Sequence, residues 1–363
     1  MLVAMAAGTR HTMNWTEGLR QPGVLAALGA ALLFGAGTPL AKQLLGGVSP
    51  WMLAGLLYLG SGLGLSLYRA LAAAPSVNLS RREVPWFAGA ILSGGVLAPL
   101  LLMVGLTRMP ATHASLLLNA EAVFTTLLAW FVFRENFDRR IALGMGAILA
   151  GVVVLNWQGE TRIGSLWPSL SILGACFLWG LDNNLTRKVS LTDATWIASV
   201  KGLVSGAVNL SLAFVIGSAL PSAPRTLAAL LLGLLAYGVS LTLFVVGLRN
   251  LGAARTGAYF SMAPFFGALL AVALGDGVTP TLLLAGALMA SGIWLHLTEA
   301  HEHEHVHEAL EHDHLHIHDE HHQHEHAQPV SPGTRHRHPH RHDALTHTHR
   351  HYPDAHHTHD HDT

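Results

Sequence analysis

Charge is almost missing from the first 300 residues of this 363-residue chain. That stretch holds 10 acidic and 17 basic side chains, while residues 301–363 hold the other 12 acids, 4 of the 21 Lys/Arg and 23 of the 26 His. A soluble chain carries about 25% charged residues, and the first 300 positions here carry about 9%. A water-facing surface cannot be covered with so little charge, whereas a lipid-facing one has no need of it. The chain therefore reads as a polytopic membrane body followed by a His-rich tail. Its net charge of −1 excludes a strongly basic nucleic-acid binder, so no nucleic-acid partner is expected. The single cysteine, Cys176, excludes a disulfide framework or a Cys-based zinc module.

A spanning helix needs about 20 mostly apolar residues to cross about 30 Å of hydrocarbon. Ten such runs lie between charge clusters and Gly/Pro turns: 24–44, 50–71, 86–106, 111–133, 141–157, 166–186, 194–217, 226–248, 255–275 and 279–298. They are rich in Leu, Ala, Gly and Val without alternation, which disfavours spanning strands. The loops divide into two sets. Twelve Lys/Arg fall in one set, among them Arg69, Arg81, Arg82, Arg139, Arg140, Arg187 and Lys188; four fall in the other, Lys42, Arg108, Arg162 and Arg225. Positive charge stays inside, so both termini are expected in the cytoplasm and the body in the cytoplasmic (inner) membrane. The first 20 residues lack a long apolar core and a small-residue cleavage pattern, which argues against a signal peptide.

One pattern occurs twice. Residues 28–42 (LGAALLFGAGTPLAK) match 173–187 (LGACFLWGLDNNLTR) at Leu28/Leu173, Gly29/Gly174, Phe34/Trp179, Gly35/Gly180, Leu40/Leu185 and Lys42/Arg187, and the same offset pairs Trp51 with Trp196. A copy five spans long is an odd number of crossings, so the second copy enters the membrane upside down. Inverted repeats give two near-equivalent conformations, each open to one side, with a site near mid-membrane. The expected class is an all-α membrane protein of ten transmembrane helices in two inverted five-helix repeats, plus a disordered His-rich C-terminal tail. Its parts are 1–23, a cytoplasmic segment; 24–157 and 166–298, the repeats; and 299–363, the tail.

Particular residues add a family likeness. Phe34-Gly35 with Pro39 and Lys42, the stretch Ala111 to Glu135 with its closing glutamate, Ile141-Gly144, Gly151, Trp179-Gly180 and Ala263-Pro264 before Phe265-Phe266 resemble the drug/metabolite transporter superfamily, in particular its EamA-type ten-span transporters. The resemblance covers about residues 24–298. It implies two five-helix bundles around a central cavity, with the fifth and tenth spans peripheral, and a small-molecule cargo. Where that family often has a proline in the middle of its fourth span, this chain has Glu121 and Ala122; the second copy keeps Pro264.

Charges inside the hydrocarbon cost about 2.5–3.5 kcal/mol each on insertion scales, so each one is informative. Glu121 falls midway along the fourth run, with Asn119 two residues away and about 160° off; Lys201 falls a third of the way into the seventh; Asp182, Asn183 and Asn184 end the sixth. Glu121 is expected to line the cavity, binding an amine or carrying a coupling proton, with Lys201 as counter-charge or as a holder of a substrate carboxylate. A purely structural Glu121–Lys201 pair is the alternative. Phe34, Trp179 and Tyr259 are candidates to stack on cargo, and Pro39 and Pro264 to break the helices and free carbonyls.

No Walker loop, GxSxG elbow or HExxH on a span is present, so an enzyme is not expected and no cofactor is required. In the tail, His301, His303, His305, His307, His312, His314, His316 and His318 are candidate ligands. Neutral imidazole suits zinc, nickel, cobalt or copper(II). The tail lacks apolar residues for a core, so disorder is expected, with a helical extension near 299–320. Spacing alone suggests exchangeable ions on shifting ligand sets. The preferred function is a secondary active transporter exporting a small organic metabolite or drug-like solute by alternating access, with the lipid bilayer and tail-bound transition-metal ions as further partners. A divalent-metal exporter whose tail captures cytoplasmic ions, and a membrane-anchored metal sensor or store, are the alternatives. A monomer and a homodimer both fit.

Overall fold

A computed structural model describes residues 22–77, 79–132, 139–156, 166–189, 193–251, 256, 259–297, 301–307, 310–316, 336–342 and 345–351. The N-terminal segment and Glu135 lie outside the described residues. The chain divides into two units, Met1–Glu299 and Ala300–Thr363.

In the first unit the described secondary structure is helical. Helix α1 is Pro22–Leu44 and α2 is Pro50–Leu71. Ser49 starts α2: its hydroxyl accepts from Met52 N–H at 3.3 Å and Pro50 fills the first turn, where a missing N–H costs nothing. Helix α3 spans Val84–Leu106 and passes through a wide-turned π segment at Ile91–Leu97. The fourth run forms two helices, α4 (Ala111–Leu117) and α5 (Ala120–Phe131). Then come α6 (Arg139–Asn156), α7 (Trp167–Arg187) and α8 (Ala194–Val215). Helix α9 begins as Ala223–Gly233, takes a second π segment at Leu234–Val239 and ends as Ser240–Leu251. Helices α10 (Ala263–Ala273) and α11 (Pro280–Leu297) complete the unit. Among the described residues, five helices can cross a membrane by length and composition: α1, α2, α3, α8 and Ala223–Gly247.

The helix pairings are closed under exchange of the two repeats. Helix α1 packs on α9 as α7 packs on α3; α1 packs on α10 as α7 packs on α5; α2 pairs with α8 and α6 with α11. Numbered as the ten runs, these contacts are 1–8 with 6–3, 1–9 with 6–4, 2–7 and 5–10. Adding five to each number regenerates the set. The repeats are thus interlocked, because most strong contacts join one repeat to the other. The α2–α8 pair is in close backbone contact: a Cβ on Gly202 would stand 2.6 Å from the Gly62 nitrogen. Only glycine allows that approach, which gains dispersion contacts that do not depend on water. The main core gathers Met52, Leu53, Leu57, Leu102, Met103, Leu106, Leu117 and Ile172, with Met289 at its edge.

The second unit corrects an expectation. Its described segments are strands: β1 (His301–His307), β2 (Leu310–His316), β3 (His336–His342) and β4 (Leu345–His351). β1 pairs antiparallel with β4 and β2 with β3. The helical extension expected near 299–320 is not found at His301–His307 and Leu310–His316, which are strands. The physical reason is periodicity: His at every second position repeats with the strand's period of two, not the helix's 3.6. His318 lies outside the described residues.

Candidate functional site

The site begins at a proline that sequence reading passed over. Pro99 has no N–H, so the carbonyl of Gly95, four residues earlier, loses its usual donor and meets the proline ring. The backbone responds by widening: Ala98 N–H donates to Ser93 O, five residues back. Two carbonyls in the middle of α3 are then taken up by side chains from three other helices. Gly94 O accepts from Tyr58 Oη at 2.7 Å and from Trp179 Nε1 at 3.0 Å, and Gly95 O accepts from Asn209 Nδ2 at 3.2 Å. No side chain fits at either glycine, since a Cβ on Gly94 would overlap the Asp182 carboxylate and one on Gly95 the Ser205 hydroxyl.

Successive residues on a helix turn by about 100°, and Asp182-Asn183-Asn184 near the end of α7 uses that turn. Asp182, 5% exposed, faces α3 and α8 and pairs with Lys201; it also accepts from Thr186 Oγ1 at 2.9 Å. Asn183 faces α5 and donates to Glu121 Oε1 at 2.9 Å and to Thr125 Oγ1 at 3.3 Å. Asn184 donates to Thr125 O at 3.0 Å and Gly180 O at 2.8 Å. The anticipated Glu121–Lys201 pair is therefore not the one formed: Lys201 holds Asp182, and Glu121 holds an asparagine amide. Glu121 remains within electrostatic range of Asp182, Lys201, Tyr58 and Tyr237.

The break between α4 and α5 places Glu121. Asn119 N–H donates to Leu116 O at 3.1 Å and Glu121 N–H to Leu118 O at 3.0 Å, both three residues back. This tight turn leaves carbonyls without their helical donors. Asn119 Nδ2 donates to Leu116 O at 3.0 Å and Cys176 Sγ to Leu117 O at 3.6 Å. Asn119 is thus a staple of the break. Its amide points toward Met289 Sδ, 3.7 Å away on α11, and does not join Glu121.

The expected aromatics divide. Phe34 sits edge-on to Tyr237 at 5.8 Å and tilted against Phe260 at 5.4 Å, and Tyr237 in turn lies 5.3 Å from Tyr58. Trp179 is buried as the donor to Gly94 O. Tyr259 is half-buried and its carbonyl accepts from Met262 N–H at 3.2 Å. Pro39 lies inside a continuous α1, and Pro264 occupies the first turn of α10, so only the second marks a helix boundary. Tyr58, Tyr237, Ser205 and Asn209 are the polar members that sequence reading missed. The sequence signal was there: two glycines followed by a proline inside an apolar run.

One end of the bundle is tied by one bond within the first repeat and two bonds across the repeats. Lys42 Nζ donates to Leu106 O at 2.5 Å, Thr112 N–H at the start of α4 to Asp276 Oδ2 at 2.9 Å, and Ser49 and Ser218 share a hydrogen bond of 2.9 Å. Toward the other end Glu121, Phe124, Thr125 and Thr126 are only half-buried and Asn183 is exposed. Among the described residues no three His, Cys, Asp or Glu gather as a metal group.

A broken-helix bundle with interlocked repeats and a half-exposed carboxylate at the break defines a membrane transporter. The comparisons with known proteins agree. The EamA-like transporter family matches twice, over residues 21–157 and 166–298, and the chain belongs to that family. It is 27% identical over 293 residues to an uncharacterized transporter of Methanothermobacter thermautotrophicus, covering 75% of this chain and 85% of that one. It is 30% identical over 180 residues to a probable amino-acid metabolite efflux pump of Escherichia coli, covering 47% and 54%. It is 38% identical over 82 residues to a probable 4-amino-4-deoxy-L-arabinose-phosphoundecaprenol flippase subunit of Pseudomonas fluorescens, covering 23% and 71%. A solved structure superposes with a TM-score of 0.59 at 20% identity, over 77% of this chain and 98% of the other; that likeness shows the fold.

Proposed function

We propose that this chain is a secondary active transporter that exports a small organic solute by alternating access. Ten spans form two inverted five-helix repeats in the cytoplasmic membrane, with both termini in the cytoplasm and the tied end of the bundle facing out. The observation that carries the reading is Glu121: a carboxylate at a mid-run helix break, half-exposed, held by one amide from the opposite repeat and set beside the Asp182–Lys201 pair. Glu121 binds the solute's amine or the coupling proton; the same group can do both in turn, because a carboxylate that takes a proton releases a cation. Tyr58, Tyr237 and Phe34 supply the apolar wall. Two relatives carry names that involve amino compounds, which supports an organic cargo. The His-rich tail binds transition-metal ions.

Proteoliposomes test this. With an amino-compound panel as cargo and an imposed pH gradient, Glu121→Gln is expected to abolish pH-dependent flux while the protein stays folded. Undiminished flux that still follows the gradient removes Glu121 from the mechanism.

A further inference from the structure

The two ladders of the tail bring together histidines that lie far apart in sequence. On β1, His301, His303 and His305 stand directly opposite His351, His349 and His347 of β4. On β2, His312, His314 and His316 stand opposite His340, His338 and His336 of β3. Residues two apart on a strand share a face, so each ladder has one face of seven histidine positions, six of them in three opposed pairs. The second arm supplies seven of these histidines, from 336 to 351.

Both ladders keep one continuous register. Two features of the amino-acid sequence agree with this pairing. Along the first arm histidine falls on odd positions up to His307 and on even ones from His312; along the second it falls on even positions up to His342 and on odd ones from His347. In that register the two switches face each other, so a slip by one residue would set His against non-His throughout. On the alternate positions acids meet arginines, with Glu302 opposite Arg350 and Glu311 opposite Arg341, the arrangement that favours cross-strand neighbours.

Extending the reading that the tail binds metal, on which this step rests, we propose that late first-row divalent ions are held between the arms, on these two histidine faces. Opposite positions are about 4.5–5.5 Å apart and same-strand neighbours about 6.5–7 Å. Two adjacent cross-strand pairs therefore form a patch of four imidazole-bearing positions, the ligand type and number that zinc, nickel, cobalt and copper(II) accept. Imidazoles gathered on one face repel when protonated. The metal needs them neutral, so binding falls as pH drops through about 6.5. Each ion would then close a loop between sequence-distant arms rather than sit on a wandering set of neighbours.

Zinc titration of the purified full-length chain in detergent tests it, with cobalt(II) absorption as a second readout. The variant T346H/H347T/T348H/H349T keeps composition and charge but moves two histidines of β4 to the other face. The proposal expects the tightest sites facing β1 to weaken by on the order of tenfold to a hundredfold, as when a chelating arm is lost. Equal affinity and stoichiometry in the two proteins overturns the ladder and leaves a metal-binding tail intact. Failure of the unaltered chain to bind zinc overturns the tail reading itself.

Discussion

The two halves of the fourth run differ more than their sequences suggest. In α4 (Ala111–Leu117) every residue except His113 is buried. In α5 (Ala120–Phe131), one tight turn later, Ala120 and Val123 are buried, and the other residues whose side chains are described are half-buried or exposed. Both halves are apolar, so composition does not separate them; neighbours do. Helix α4 is enclosed by α1, α10 and α7, while α5 lies between α7 and α6. The lesson is that the packed side uses hydrogen bonds to finish helix ends, whereas the open side leaves Glu121 available. Thr112 and Asn119 spend their hydrogen bonds on helix ends, whereas Glu121 and Thr125 share one amide, from the exposed Asn183.

The sharpest way to break that distinction is to compare the two carboxylates at its border. Asp182 is buried and paired; Glu121 is half-exposed and held by a neutral group. Removing one partner of a buried ion pair leaves an uncompensated charge and costs about 3–5 kcal/mol. Asp182→Asn and Lys201→Met are therefore each expected to lower thermal stability in detergent strongly, and the double substitution to recover most of it. Glu121→Gln leaves no stranded charge and is expected to move stability little. If Glu121→Gln unfolds the protein as readily as Asp182→Asn, the division between structural and available carboxylates fails.

Asn119 gives a smaller effect from the packed half. Its amide adds a second hydrogen bond to Leu116 O, which the Asn119 N–H also reaches, and one such bond contributes about 0.5–1.5 kcal/mol. Asn119→Ala should destabilise by that amount and lower flux only in proportion to folded protein. A selective loss of flux with unchanged stability would move Asn119 into the open half.

Much of the helical frame was legible. The run expected at 86–106 is helix Val84–Leu106, and the run expected at 141–157 is described over 139–156. Apolar length and charge punctuation are local properties, and they survive folding. The repeat was legible too, because a Gly, aromatic and basic register at fixed offset needs no tertiary information. The break in the fourth run was not. Its family position for proline is occupied by Glu121, and the turn depends on Asn119 and on Cys176 reaching from α7. Lys201's true partner was equally out of reach, since Asp182 and Glu121 are both near it and only the packing of α7 on α3 decides between them. The ladder of the tail was half legible: alternation within each arm is visible, but pairing requires comparing positions 20 to 50 residues apart.

The smallest expected effect tests the open end from outside the hydrocarbon. Asp193 caps α8, accepting at Oδ1 from Thr195 N–H at 2.8 Å, Thr195 Oγ1 at 2.6 Å and Trp196 N–H at 3.2 Å. Its other oxygen meets Arg69 of α2 at 2.9 Å. Partial burial by itself raises the carboxyl, but the bonds from Thr195, Arg69 and Trp196 hold it below the usual carboxylate range. A depressed carboxyl contributes stability that is fully present above its unfolded value, about 3.9, and is lost as pH falls through the lower folded one. Asp193→Asn keeps an N-cap acceptor and removes the charge, while Asp193→Ala removes both and should cost about 0.5–2 kcal/mol. Thermal melts at neutral pH should rank the wild type above Asp193→Asn and that above Asp193→Ala. Below about pH 4 the gap between wild type and Asp193→Asn should shrink, because the wild-type carboxyl is then giving up the charge that the amide already lacks. A gap unchanged by acid would mean that the Arg69 contact adds no net charge stabilisation and that α2 and α8 are held at this end by their glycine-lined backbones alone.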